Sequence, residues 1–312
     1  MTAMHSAVPV IVTPGAGGGH DEVDAQRIVS ALGAAGVAAA VHSPRAGEDL
    51  GTLVARVMRD HPPVVIGGGG DGTISAVAAG LVGTDTALGV LPLGTLNHFA
   101  RDLTIPLDLD GAARVIAAGH RATVDVGEVN GRVFVNNSSL GLYPEIVRDR
   151  ELQRRRLGRG KWAALAWASI TVLRRYPFLD VAMHIHGHSE ARRTAFVFIG
   201  NNEYDMEGFD IGSRVRLDGG ILSVYVTQRC GRAGLFLLAL RALVGRLRQA
   251  KDLDALTCQT MTVETRPRRL RVANDGEVVM MDTPLRYRVR PGALNVLVAA
   301  PEPEAPPGGA TS

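Results

Sequence analysis

Residues 8–129 alternate short, almost wholly apolar runs with helical patterns, and this rhythm leaves few folds open. VPVIVT (8–13), VAAAVH (37–42), VVIG (64–67) and ALGVLP (87–92) read as strands. Helices are expected from Asp21 to near Gly36, from Glu48 to Arg59 and from Ile74 to Leu81. Strands without alternation are buried on both faces, so the pattern predicts a parallel sheet covered by helices on each side. Ligand sites in such sheets lie beyond the carboxyl ends of the strands, where three glycine-bearing loops fall.

The sharpest of these loops is GGGGDGT, in which Gly67–Gly70 lead into Asp71-Gly72-Thr73 and an alanine-rich helix. A strand that ends in glycines before a helix turns backbone N–H groups outward at the positive end of the helix dipole, a ready phosphate cradle. Glycines at 68–70 permit positive φ and let a ligand come closer than any Cβ would allow. Asp71 can bind Mg²⁺ or accept a proton, and Thr73 can donate to a phosphate while capping the helix. The competing reading is a turn that uses glycine for tight packing alone. The loop lacks the GKS/GKT of a P-loop and the ribose-binding acid of the dinucleotide fingerprint.

LPLGTLNHFARDL (91–103) follows the next strand. Gly94 and Thr95 can extend the cradle, and Asn97 can fix the loop or reach a nucleotide. The third loop, VTPGAGGG (12–19), can close over a nucleotide or serve only as a flexible turn.

Beyond about residue 125 the pattern changes. VDVGEVNGRVFVNNSSLG carries an Asn-Gly hairpin signal, and strands are suggested at 179–186, 194–200, 221–227, 260–265, 269–273, 284–290 and 293–298. Two helices are expected around 161–175 and 232–249. The chain thus divides into an α/β Rossmann-like nucleotide-binding domain (1–125), a mostly antiparallel β-sandwich domain (126–300) and a disordered tail (301–312).

Composition narrows the function. Aromatic residues are only 4%, which disfavours nucleic-acid recognition by stacking. Cys230 and Cys258 are too few for a disulfide framework and read as small buried hydrophobes in a reducing cytoplasm. The opening MTAMHSAVPVIVT shows no signal peptide, and no apolar run reaches the roughly 20 residues of a membrane span. From Arg148 to Arg175 nine basic residues face two acids, with Trp162 and Trp167 among them, and 229–251 holds six basic residues and no acid among leucines. Both stretches suit an anionic bilayer surface; both could equally be solvated faces of packed helices. His98 reads as a phosphate or headgroup contact or as a backbone-bonded loop histidine. His184, His186 and His188 alternate, and without an acid or cysteine at ligand spacing they read as a solvated strand face.

GGDGT (69–73) together with PLGTLNHFAR (92–101) resembles the diacylglycerol kinase catalytic family, which includes bacterial lipid kinases and the sphingosine and ceramide kinases. DVGEVNG (125–131), GNN (200–202), RLDGG (216–220) and NDGE (274–277) fall where that family's second domain carries its motifs. The resemblance implies transfer of the γ-phosphate of ATP, with Mg²⁺, to the hydroxyl of a diacylglycerol-like lipid. It implies that Thr13, Gly15, Gly69, Gly70, Gly72, Thr73, Gly94, Thr95 and Asn97 bind the nucleotide. Asp71 would organise phosphate and metal, Asp218 would hold metal, Glu277 would be the general base and Asp125 a supporting carboxylate. The implied partner is a lipid at a membrane surface rather than nucleic acid, reached by a cytoplasmic, peripherally associated protein that could form a homodimer. Departures from the family pattern are Thr13 before Pro14 in place of Asn, Ser75-Ala76 in place of Asn-Glu, His98 in place of an acid, and Gly219 in place of a second Asp. They point to an altered acceptor or weak activity. The alternatives are a regulatory lipid- or nucleotide-binding protein on a kinase scaffold and an NAD kinase-like enzyme. An NAD(P)-dependent oxidoreductase is disfavoured, because Asp71 would repel a pyrophosphate.

Overall fold

A computed structural model describes residues 7–13, 21–141, 178–207, 210–214, 216–227 and 253–300. The helices expected around 161–175 and 232–249, the two basic stretches, Gly15, Cys230 and the 301–312 tail lie outside these residues.

The first half contains β1 (Val8–Val12), α1 (Asp21–Ala34), β2 (Ala39–His42), α2 (Leu50–Val57), β3 (Val64–Gly69), α3 (Asp71–Leu81), β4 (Ala87–Pro92), α4 (His98–Asp102) and α5 (Leu109–Ala118). The strands pair in parallel in the order β2-β1-β3-β4. Every residue of β4 is buried, as a parallel strand covered on both faces requires. Helix α2 is capped by Asp49, which accepts from Thr52 N at 2.7 Å, and turns Leu53, Val54 and Val57 inward. Asp108 caps α5 in the same way through Gly111 N, and Gly119 closes that helix at φ 69°. The sequence reading did not single out α4 or α5.

The second half contains β5 (Arg121–Val129), β6 (Arg132–Phe134), β7 (Asn137–Gly141), β8 (Leu179–Ile185), β9 (His188–Thr194), β10 (Phe196–Asn201), β11 (Tyr204–Glu207), β12 (Asp210–Arg214), β13 (Leu222–Thr227), β14 (Leu253–Cys258), β15 (Thr260–Thr265), β16 (Arg269–Asn274), β17 (Glu277–Asp282) and β18 (Leu285–Leu297). An antiparallel six-stranded sheet runs β14-β13-β10-β7-β16-β17. It packs against an extension of the first sheet, which continues past β4 as β18-β15-β8-β9 with β5 and β6 branching from β18. The fold is therefore the expected α/β domain with a second, antiparallel unit.

The two runs expected at 284–290 and 293–298 are one strand, β18, interrupted by a bulge between Arg290 and Leu294. Its last residues pair in parallel with β4 and its first residues pair antiparallel with β15. The boundary expected at 125/126 falls inside β5. Val124 and Val126 of β5 join the core of the first half, and Val129 joins that of the second.

Three tight turns carry two consecutive positive φ values, the type I′ geometry of two-residue hairpins: Asn130-Gly131, His186-Gly187 and Asp275-Gly276. The second turn splits the histidines. His184 lies on β8, His186 in the turn and His188 on β9, so they do not line one strand face. Cys258 is buried, and burial pushes its thiol up to about 11, in keeping with a packing role.

Gly127 of β5 lies opposite Phe134 of β6, and a Cβ there would come within 2.2 Å of the buried ring. Gly127→Ala is expected to lower stability by about 1–3 kcal/mol, read as a shift of the urea midpoint at unchanged slope.

Candidate active site

Register brings the glycine loops to one edge. Val12 pairs with Gly68 and Gly69 with Pro92, so Thr13, the GGDGT turn and the 93–97 loop all leave the sheet at the carboxyl ends of neighbouring strands. Helix α3 begins at Asp71, earlier than the Ile74 expected, which puts Asp71, Gly72 and Thr73 in its first turn. The first-turn N–H groups of a helix have no intrahelical acceptor, and here the N-cap is Gly70, which supplies no side-chain bond.

None of Gly67–Gly70 or Gly72 has positive φ; the reason for glycine is steric. A Cβ on Gly69 would lie 2.5 Å from Thr73 Oγ1, and one on Gly94 would lie 2.4 Å from Gly70 Cα. These two glycines let loops and helix pack closely. Gly72 differs, since a Cβ there would meet nothing within 4 Å, so the surface above the helix start is open to a ligand. Both readings of the loop thus apply, at different residues.

Thr73 is buried and does not cap α3. Its Oγ1 lies 2.9 Å from Thr13 Oγ1 and ties the end of β1 to the helix. Asn97, at φ 51°, is also committed. Its Oδ1 accepts from Gly94 N at 3.0 Å, and its Nδ2 donates to Gly94 O at 2.9 Å and Pro92 O at 3.3 Å. Asn97 therefore fixes the loop, leaving Thr95, Leu96 and His98 exposed. Asp71 Oδ1 accepts from Phe99 N at 3.3 Å and so touches the start of α4.

Glu277 opens β17 and is exposed. Its hairpin reaches the cradle through Asp275, whose Oδ2 accepts from Ser75 Oγ at 2.5 Å across 200 positions of sequence. The same carboxylate accepts from the backbone N–H groups of Val135, Asn136 and Asn137 at 2.8–3.0 Å. Burial pushes the Asp275 carboxyl above the usual carboxylate range, against these four bonds, which pull it down. Asp71 and Glu277 thus stand on elements that touch.

The other two acids have different work. Asp125, buried, accepts from Gly220 N at 2.6 Å and Gly292 N at 2.8 Å. It braces the RLDGG loop against the β18 bulge. Asp218 accepts from Arg216 Nε at 2.8 Å on the surface, and that bond holds its carboxyl below the usual range. The resemblance implies a metal at Asp218; here one of its two oxygens is committed to Arg216. Among the described residues no three His, Cys, Asp or Glu side chains come together as a metal cage. What fits Mg²⁺ is the arrangement usual for that ion with nucleotides, one carboxylate beside the phosphates, and Asp71 supplies it.

A hub that the sequence reading missed joins α4 to the second half. The Arg214 guanidinium, with no exposed surface, bonds Asp102 through Nε at 2.8 Å and Nη2 at 2.7 Å. It also donates to Val135 O at 2.5 Å, Asn201 O at 3.3 Å and Asn136 Oδ1 at 3.0 Å, between the rings of Phe99 and Tyr204. Tyr204 OH donates to Asn136 O, and burial pushes that phenol far above its ordinary range. No local motif announces a pair 112 residues apart. A cleft of about 810 Å³ lies elsewhere, lined by Glu128, His184, Thr260, Arg286 and Arg288 among others, and contains none of the expected site residues.

Comparison with known proteins agrees with these loops. Residues 7–129 match the model of the diacylglycerol kinase catalytic domain, and residues 146–298 match that of the YegS C-terminal NAD kinase beta sandwich-like domain. Diacylglycerol kinases of Staphylococcus aureus strains JH9 and Newman are each 41% identical over 93 residues, 29% of this chain. The matched segment spans about 30% of the length of these curated relatives. The crystal structure of a diacylglycerol kinase from Bacillus anthracis str. Sterne superposes with a TM-score of 0.70 at 23% identity, covering 94% of this chain and 97% of that one. At that identity the likeness establishes the fold.

Two outcomes are expected. Gly94→Ala, which drives a Cβ into the Gly70 backbone, should lower stability by about 1–3 kcal/mol, read as a fall in the urea midpoint. Arg214→Met, which strands the nearly buried Asp102 carboxylate, should destabilise the protein by about 3–5 kcal/mol in chemical denaturation.

Proposed function

The chain is a relative of the diacylglycerol kinase catalytic family, and from that premise we propose that it transfers the γ-phosphate of ATP to the hydroxyl of a diacylglycerol-like lipid. The observation that carries this reading is the Ser75–Asp275 bond, which sets the NDGE hairpin against the first turns of the helix that opens the phosphate cradle. A cradle alone would serve any phosphate ligand; a cradle joined to an exposed carboxylate on a second wall serves transfer.

The roles follow from the chemistry. The N–H groups at the start of α3 bind phosphate oxygens, with the open surface at Gly72 giving them access. Asp71 would hold Mg²⁺, which would supply charge neutralisation to the phosphates. Glu277 takes the proton of the lipid hydroxyl as its oxygen bonds the γ-phosphorus; the bond from that phosphorus to the β–γ bridging oxygen breaks, and ADP leaves. Phosphoryl transfer needs mainly alignment and charge neutralisation, so two carboxylates with separate tasks are sufficient. The basic stretches at 148–175 and 229–251 supply the charge for docking on an anionic membrane surface.

A second reading, phosphorylation of NAD, draws on the description of the domain matched by residues 146–298. Both are tested by incubating the protein with γ-labelled ATP, Mg²⁺ and either a bacterial lipid extract or NAD. Label is expected in a lipid. Asp71→Ala and Glu277→Gln should each lower its rate by roughly 100-fold or more. Label in NAD would replace this reading with the second. ATP binding without any transfer would make the protein a regulatory binder on a kinase scaffold.

A further inference from the structure

The NDGE hairpin is held by two kinds of contact, and they come from different halves of the molecule. Asp275 N donates to Asn137 O at 2.9 Å, and the Asp275 carboxylate accepts from Val135 N, Asn136 N and Asn137 N. These four bonds are internal to the second half and, with the β16–β17 ladder, give the hairpin its shape. The fifth, from Ser75 Oγ, comes from α3. Ser75 follows Asp71 by four residues, a separation that places two side chains on the same face of a helix. One face of one helix therefore carries both the metal-binding carboxylate and the link to the hairpin that ends in Glu277.

We propose that Ser75 is a positioning residue, whose bond to Asp275 sets Glu277 at a fixed place relative to Asp71. The inference rests on the kinase reading above. Because the hairpin keeps its bonds to residues 135–137 without Ser75, losing the hydroxyl should leave the fold and the cradle intact and disturb only the relation between the two carboxylates.

The test combines kinetics with amide hydrogen exchange on the full chain. Ser75→Ala should lower kcat for lipid phosphorylation by about 10-fold, with the KM for ATP and the thermal midpoint unchanged, and Ser75→Thr, which keeps a hydroxyl, should restore it. In a Glu277→Gln background Ser75→Ala should cost nothing further, since the group it positions is already gone. Exchange at residues 274–277 should quicken in Ser75→Ala and not in Ser75→Thr. An equal loss of kcat in the Glu277→Gln background, or unaltered exchange in the hairpin, would overturn the proposal. If the native protein transfers no phosphate, the kinase reading fails, and the exchange measurement alone decides whether Ser75 secures the hairpin.

Discussion

One strand belongs to both halves of this molecule, and the rest of the architecture is arranged along it. The first residues of β18 pair with β15 and close one wall of the sandwich, while its last residues lie beside β4 in the parallel sheet of the first half. Leu285, Tyr287 and Val289 fill one core, and Leu294, Val296 and Leu297 fill the other. The halves consequently share backbone hydrogen bonds, which are costly to break, and are not joined merely by a flexible tether. The bulge at 291–293 is where the strand changes partners, and the buried Asp125 carboxylate holds it by accepting from Gly292 N.

The candidate site lies beside this seam. Residues 135–137 are gripped by Asp275 through their N–H groups, and Arg214 reaches Val135 O and the Asn136 side chain. Each gripping residue also reaches an element of the first half, Asp275 through Ser75 and Arg214 through Asp102. Helices α3 and α4, which begin at two of the glycine-bearing loops, are thereby tied separately to one short segment of the other half. Burial makes the Arg214–Asp102 tie expensive to leave unmatched, and the two ties together favour a single relative placement of the loops.

How much of this was legible in the sequence depends on the range of the interactions. The buried strands, the Asn-Gly and Asp-Gly hairpins and the GGDGT turn carry their signals within a few residues, so they could be read directly. The sequence puts the start of α3 at Ile74, three residues late, because Thr73 has the chemistry of a cap, whereas its hydroxyl is committed to Thr13 sixty positions away. Gly69 reads from the sequence as freedom of φ or room for a ligand, but it is required by Thr73 of its own turn; Gly94 reads as an extension of the cradle, but it is required by the approach of Gly70 from the other loop, which no local pattern reveals. The Arg214 hub and the bracing role of Asp125 were out of reach for the same reason: a buried charge declares its partner only after the chain has folded. Asp71 was legible from the strand-to-helix turn that carries it, whereas Glu277 stood out only through the family resemblance.

The contact between Gly70 and Gly94 has a consequence for how this protein can vary. A methyl group added at position 94 would overlap the backbone at position 70, so the two loops behave as a single moulded surface. Neither can be exchanged for a relative's loop of different shape while the other is kept. Any chimaera, and any lineage that remodels the site, must change both loops in concert.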